Sequence, residues 1–149
     1  MGNTPTGVSV AVLIEQDGKL LCVKQNAAKG GKISIPAGHL ESGEMVLDGT
    51  MREILEETGY KIAVLTLVGI YNRAQEVGIR IGFAFTACIT GSDESAKTDE
   101  IAEMLWLSRH EVLNLITSTN LYRPEYSGRV LTDWARGVTY PLEAIKEIR

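Results

Sequence analysis

Apolar positions along this chain follow two periods, and the changes between them predict the order of elements. Residues 7–15 (GVSVAVLIE) are rich in β-branched side chains, Asp17-Gly18 is a tight-turn signal, and residues 19–25 (KLLCVKQ) resume the strand pattern, so an antiparallel hairpin is expected. Residues 26–32 carry the small side chains and glycines of a loop, and residues 33–36 form a short extended piece. Over residues 45–58, Leu47, Met51, Ile54, Leu55 and Thr58 recur at three- and four-residue steps, and Gly59 supplies a stop. That spacing predicts one amphipathic helix with Met51, Ile54 and Leu55 toward the core. Residues 61–71 and 79–90 read as strands joined by a polar segment, residues 91–99 as a loop, and residues 101–107 as a further strand. Ser108 with Glu111 is a capping-box pattern opening a helix to about Ile116, and residues 125–136 predict a last helix.

Strands interleaved with helices point to an α/β (α+β) fold in which a mixed sheet carries helices on its faces. At 149 residues, without an internal repeat or low-complexity linker, one domain over residues 1–149 is expected. No apolar run approaches the roughly 20 residues that span a bilayer, and residues 1–7 lack a basic stretch followed by an apolar one, so no membrane association and a cytoplasmic location are expected. The formal charge of -4 offers no uniform basic field for a nucleic acid polymer. An anionic small molecule would therefore need cations gathered locally. Cys22 and Cys88 lie in apolar strand-like runs and read as buried reduced thiols. Gly30-Gly31-Lys32 resembles part of a phosphate loop, but Asn26 stands where that motif needs glycine and Ile33 where it needs Ser or Thr.

The chemistry is concentrated on the helix. At 100° per residue, Glu53, Glu56 and Glu57 fall within about 100° of arc, so their carboxylates share one side and repel. Something positive should sit among them, and oxygen-only ligands on a rigid element suit a hard divalent cation. Taken alone, such an acidic face is more often simply solvated.

The surrounding residues change that balance. Residues 38–60, GHLESGEMVLDGTMREILEETGY, contain Gly38, Glu44, Arg52-Glu53, Ile54, Glu56-Glu57, Gly59 and Tyr60. These match the Nudix signature: Gly, five residues, Glu, seven residues, Arg-Glu, an apolar residue, any residue, Glu-Glu, any residue, Gly, an apolar residue. Chance produces seven such identities on the order of once in 10⁸ to 10⁹ starting positions. Tyr60 stands in place of the usual aliphatic residue, and Gly49-Thr50 where many relatives carry two alanines.

The chain thus resembles the Nudix hydrolases. The resemblance implies a Nudix-type α/β/α sandwich and hydrolysis of a phosphoanhydride bond with Mg²⁺, for which Mn²⁺ is a possible substitute. It implies that Glu53, Glu56 and Glu57 bind the metal with the backbone carbonyl of Ala37, that one of these glutamates activates water, and that Arg52 orients them with help from Glu44. A further acid is often recruited, for which Glu100 is the first candidate and Glu103 the second; the expected catalytic set is then Glu53, Glu57, Arg52 and Glu100. No Ser-His or Cys-His pair is needed, although His39 adjoins the metal loop. Pro36 to Glu41, the strand containing Arg80 and the closing Tyr140-Pro141-Leu142-Glu143 are similar to small bacterial Nudix phosphatases. These act on nucleoside di- and triphosphates and on thiamine pyrophosphate or its hydroxymethylpyrimidine pyrophosphate precursor.

The partner expected is accordingly a small nucleotide or organic pyrophosphate, cut with release of orthophosphate, with Arg80, Arg73, Lys24 and Tyr122-Arg123 as phosphate or base contacts. Monomer and homodimer both stay open. Two alternatives remain at this point: a pyrophosphohydrolase acting on another nucleoside diphosphate derivative such as ADP-ribose, or a non-enzymatic nucleotide-sensing module. An acidic docking surface for a basic partner leaves Gly38, Arg52 and Gly59 unexplained.

Overall fold

The computed structural model describes residues 5–149. In chain order its regular elements are β1 (Thr6–Gln16), β2 (Lys19–Gln25), β3 (Ile33–Ser34), β4 (Ala37–His39), α1 (Val46–Thr58), β5 (Tyr60–Ala74), β6 (Ile79–Ser92), β7 (Ile101–Ser108), α2 (Arg109–Ile116), α3 (Pro124–Ala135) and β8 (Tyr140–Pro141). The reading of residues 1–7 as free of a leader falls partly outside these described residues. Among the described residues, no helix is long and apolar enough to cross a membrane.

The uninterrupted apolar run in β1 exists because both faces of that strand are covered. Val10, Val12, Ile14, Ala11 and Leu13 are all at most 1% exposed, and strand alternation divides them between two sides. Val12 and Ile14 pack with Ile54 of α1. Ala11 and Leu13 pack with Val112 and Leu115 of α2 and with Val130 and Leu131 of α3. A third cluster, Val10, Leu67 and Phe85, is closed by Leu40, Val46, Leu142 and Ile145. The fold is therefore the expected mixed sheet between helical layers. β1 runs parallel to β6, β6 antiparallel to β5, and β8 closes part of the outer edge of β5.

The expected hairpin forms only at its tip. Asp17 and Gly18 both have positive φ (52° and 74°), the combination a two-residue primed turn requires. Pairing between β1 and β2 is confined to Glu15↔Leu20 and Gln16↔Lys19. Beyond it, β2 turns away to pair with β7 along its length. The edge of β1 left free must find other partners. β4 takes it at Ser9↔His39, Val10↔Gly38 and Ala11↔Ala37, and the N–H of Val12 donates to the carbonyl of Pro36 (3.0 Å). The parting of β1 from β2 opens the cleft described below. Three short residues, Ala-Gly-His, carry no alternation by which β4 could be read from sequence.

The core face expected for α1 is corrected at two positions, the first being Leu55, which is only partly buried. Met51 is 39% exposed and does not join the core, whose side of α1 is formed by Thr50, Ile54, Glu57 and Thr58. Gly49, a helix-weakening residue by propensity, is buried in α1 where a β-carbon would lie 2.2 Å from Leu40 Cδ2 and 2.8 Å from Glu44 Oε2. The two cysteines are free; Cys22 is buried, which pushes its thiol up to about 12, and Cys88 is partly buried.

Candidate active site

Arg52 is the hub of the acidic end of the site. Its Nε donates to Glu44 Oε1 and its Nη2 to Glu44 Oε2 (3.0 Å), a two-pronged contact that holds the Glu44 carboxyl below its usual range. Nη1 donates to Glu53 Oε1 (3.1 Å) and Glu56 Oε2 (3.0 Å), and Nη2 also to the carbonyl of His39 (3.1 Å). The positive group that helical spacing demanded between Glu53 and Glu56 is therefore the chain's own guanidinium. The Glu44 carboxylate also accepts from the N–H of Glu41 (2.8 Å), which ties the loop before α1 to the helix.

The third glutamate points elsewhere. Glu57 is 6% exposed, and its Oε1 accepts from the N–H of Ala37 (3.1 Å). Burial, reinforced by Glu100 and Glu53, pushes its carboxyl up to about 8. Glu53 is shifted upward as well, first by desolvation, with Arg52 opposing. Glu53 passes so close to β4 that a β-carbon on Gly38 would lie 2.0 Å from its Oε2 and 2.7 Å from its Cγ. Glycine at 38 is thus required by close approach. Gly38→Ala is expected to displace Glu53 and cut turnover at least about tenfold, with the circular dichroism spectrum unchanged. Full activity in that variant would show that the Glu53 position is not needed.

One cavity of about 280 Å³ opens over these groups. Glu53, Glu57, Glu100, Ala37 and Gly38 line it together with the cations Lys29, Arg73, Arg80 and Arg123 and with His39. His39 is held below its ordinary value first by desolvation and then by Arg123, Arg80 and Lys29. Tyr71, Tyr122 and Tyr126 add aromatic wall. The loop before α3 is held over the cleft by two backbone bonds to β3, from Ile33 to Asn120 (2.8 Å) and from Tyr122 to Ile33 (2.8 Å). Arg123 turns the chain into α3 in the left-handed region (φ 49°), an unfavoured conformation for a side chain of this size. Behind it, Tyr71 donates to Asp133 (2.8 Å) and meets Tyr126 edge to face at 5.6 Å, which anchors α3 to β5.

Of the cations expected from sequence, Arg73, Arg80 and Arg123 line the cleft and Lys24 does not. Alternation along β2 sends the neighbouring Gln25 into it, whereas Lys24 is exposed and lies opposite Glu103 of β7. Lys29, on a short turn of 3-10 helix after β2, lines the cleft in its stead. Glu100 faces the cavity and Glu103 does not. Glu56 is also outside its wall, with 42% of its side chain exposed. Tyr122, expected beside Arg123, does line the cleft, whereas Lys29 and Tyr126 escaped the sequence reading because they converge on it only in the folded chain.

Among the described residues, no three acidic, histidine or cysteine side chains stand at ion-clasping spacing in this conformation. The donor chemistry nevertheless suits a hard cation. Arg52 engages one carboxylate oxygen of Glu53 and one of Glu56, and the Ala37 N–H one of Glu57, leaving Glu53 Oε2, Glu56 Oε1 and Glu57 Oε2 free of hydrogen bonds within the described residues.

A model of the NUDIX domain matches residues 4–126. The chain is 35% identical over 106 residues to a MutT-like protein of Streptomyces ambofaciens, covering 70% of this chain and 66% of that protein. It is 35% identical over 95 residues to an ADP-ribose pyrophosphatase of Methanocaldococcus jannaschii, covering 62% and 56%. The chain thus spans less than two thirds of the length of these curated relatives. Among solved structures it is similar to a NUDIX hydrolase from Nitrosomonas europaea, with a TM-score of 0.83 at 30% identity over 97% of this chain and 98% of that one. A MutT protein from Methanosarcina mazei Go1, at 22% identity and a TM-score of 0.71 over 92% and 98%, shares the fold.

Proposed function

This chain belongs to the Nudix hydrolase family, whose domain covers residues 4–126, and we propose that it hydrolyses a phosphoanhydride bond in a nucleoside di- or triphosphate, releasing orthophosphate and using Mg²⁺. Nudix hydrolases generally use divalent metal ions. One observation carries the proposal: a single cleft is lined by carboxylates, Glu53, Glu57 and Glu100, and by the cations Arg73, Arg80 and Arg123. A polyphosphate with a polar nucleoside needs both, an ion held by the acids and direct positive charge for the remainder.

Glu53, Glu56 and Glu57, with the carbonyl of Ala37, would hold the ion. When bound, Mg²⁺ neutralises charge building on the phosphate oxygens and makes water a better nucleophile. The rest is done by side chains. Arg52 keeps Glu53 and Glu56 oriented, and Glu44 keeps Arg52 in place. A cleft-facing carboxylate accepts the proton of the attacking water. Glu100 is suited to that task or to completing the ion's shell, so Glu100→Gln is expected to slow turnover about tenfold and Glu103→Gln hardly at all. The reverse ranking would transfer the role to Glu103.

The arginine lining disfavours thiamine pyrophosphate, whose thiazolium is itself positive. A second reading, hydrolysis of an ADP-ribose-like nucleoside diphosphate derivative, draws support from the relative named as an ADP-ribose pyrophosphatase. A substrate panel with Mg²⁺ in ¹⁸O-labelled water separates the two. Label in orthophosphate from a nucleoside di- or triphosphate supports the first reading. Preference for ADP-ribose with label in a phosphomonoester supports the second. No hydrolysis with any divalent ion would sink both and leave a nucleotide-sensing module.

A further inference from the structure

Arg73 and Arg80 are direct partners across the β5–β6 ladder, and both line the cleft. Like charges opposite one another on a sheet face repel. Neither forms an ion pair with a carboxylate among the described residues, and Arg123 and Lys29 form none either. Their supports are uncharged: the Arg73 guanidinium lies 5.5 Å from the Tyr126 ring centre and that of Arg123 5.1 Å from Tyr122. Arg80 lies across Gly7 of β1, where a β-carbon would come within 1.7 Å of Nη1 and 2.8 Å of Cζ. A chain with a net charge of -4 has gathered Arg73, Arg80 and Arg123 on one cleft with no ion pair to any of them among the described residues.

Arg73 and Arg80 stand at a different level of the sheet from the metal-binding glutamates. Glu57 bonds to Ala37, which stands opposite Ala11 of β1, whereas Arg80 stands opposite Gly7 and Arg73 continues the same row. Four residues of one strand separate the two levels, roughly 13 Å at strand rise. With the scissile phosphoanhydride at the glutamates, Arg73 and Arg80 are placed for a group farther along the substrate.

We propose that Arg73, Arg80 and Arg123 form a subsite for a second anionic group of the substrate, a phosphate or carboxylate remote from the bond that is cut. This rests on the hydrolase reading above and narrows its substrate class to nucleotides carrying extra negative charge away from the scissile phosphoanhydride. Guanidinium forks suit both anions. Because the group does not take part in bond breaking, its contribution appears in KM rather than kcat. Gly7 is a specificity-determining position, since any side chain there evicts Arg80 from its seat.

The test compares matched pairs in the presence of Mg²⁺: ADP against ADP bearing a further phosphate on its ribose, and UDP-glucose against UDP-glucuronate. One pair is expected to favour its more anionic member by about tenfold or more in kcat/KM, carried by KM, and which pair does so distinguishes phosphate from carboxylate. The ratio should fall toward one in Arg80→Gln and Arg73→Gln and be partly kept in Arg80→Lys. Calorimetric titration of the metal-free protein with AMP and with AMP bearing a further ribose phosphate reads the phosphate subsite without turnover. A ratio near one for both pairs in the unmodified protein, or a preference that survives both glutamine variants, overturns the proposal. If nothing is hydrolysed, the titration decides: tighter binding of the bisphosphate, lost in Arg80→Gln, upholds the anion subsite while the hydrolase reading fails, and equal binding removes both.

Discussion

Glu57→Gln is expected to lower turnover by about 100-fold while making the metal-free protein more heat-stable near neutral pH. The loss follows from deleting one negative charge from the oxygen set that would hold the ion, without changing side-chain shape. The gain follows from burial. In the fold the Glu57 carboxyl is pushed from the ordinary 4.5 up to about 8. Between those values the folded protein keeps a proton that the unfolded chain releases. Stability from this group is therefore fully present below pH 4.5 and lost as pH rises through about 8. Glutamine has no proton to lose and can still accept from the N–H of Ala37. The Tm difference between variant and parent should accordingly be smallest in acid and widen toward pH 8. Added Mg²⁺ should stabilise the parent, increasingly so as pH rises, and the variant much less. Equal stabilisation of both proteins by Mg²⁺, with equal turnover, would remove Glu57 from the ion's ligands.

Arg52→Lys should be almost as damaging, lowering kcat by about 100-fold and weakening the response to Mg²⁺. The guanidinium makes two bonds to Glu44, one each to Glu53 and Glu56, and one to the carbonyl of His39. An ammonium is a point charge with three donors and cannot span this set. Its loss frees both the loop before α1 and the glutamates, so the concentration of Mg²⁺ giving half-maximal rate should rise together with the fall in kcat. A lysine variant with parental kcat and parental Mg²⁺ dependence would show that the fork merely braces the fold. With Arg52→Lys, KM for the nucleotide should move little, because Arg52 does not line the substrate cleft.

Much of this molecule was legible in the chain itself. Helix α1 could be placed because apolar spacing, Gly59 and the glutamates agree locally, and Gly59 indeed ends the helix at φ 78° with its N–H on the carbonyl of Leu55 (2.8 Å). The capping box of Ser108 and Glu111 forms as its spacing requires. β1, β2, β5, β6 and β7 follow from β-branched and apolar runs long enough to carry a pattern. Residues within a single helical turn or strand are bound to one another by covalent geometry, so their mutual placement is written in spacing.

The rest depends on pairing between distant segments. That β2 would leave β1 after two residue pairs, and that Ala37–His39 would fill the vacated edge, is decided by competition for backbone partners across the whole sheet. Lys24 and Lys29 illustrate the consequence: both are cations near the end of β2, yet strand alternation keeps the first out of the cleft and a loop turn carries the second in. The burial of Glu57 beside β4, the seat of Arg80 on Gly7 and the wall of Tyr71, Tyr122 and Tyr126 likewise arise only where segments distant in the chain meet. The sequence by itself determined the elements, the acidic face of α1 and the family chemistry, because those are local patterns. Tertiary structure alone decided which glutamate is desolvated and which cations confront the acids across one cleft, because burial and long-range charge are properties of packed surfaces.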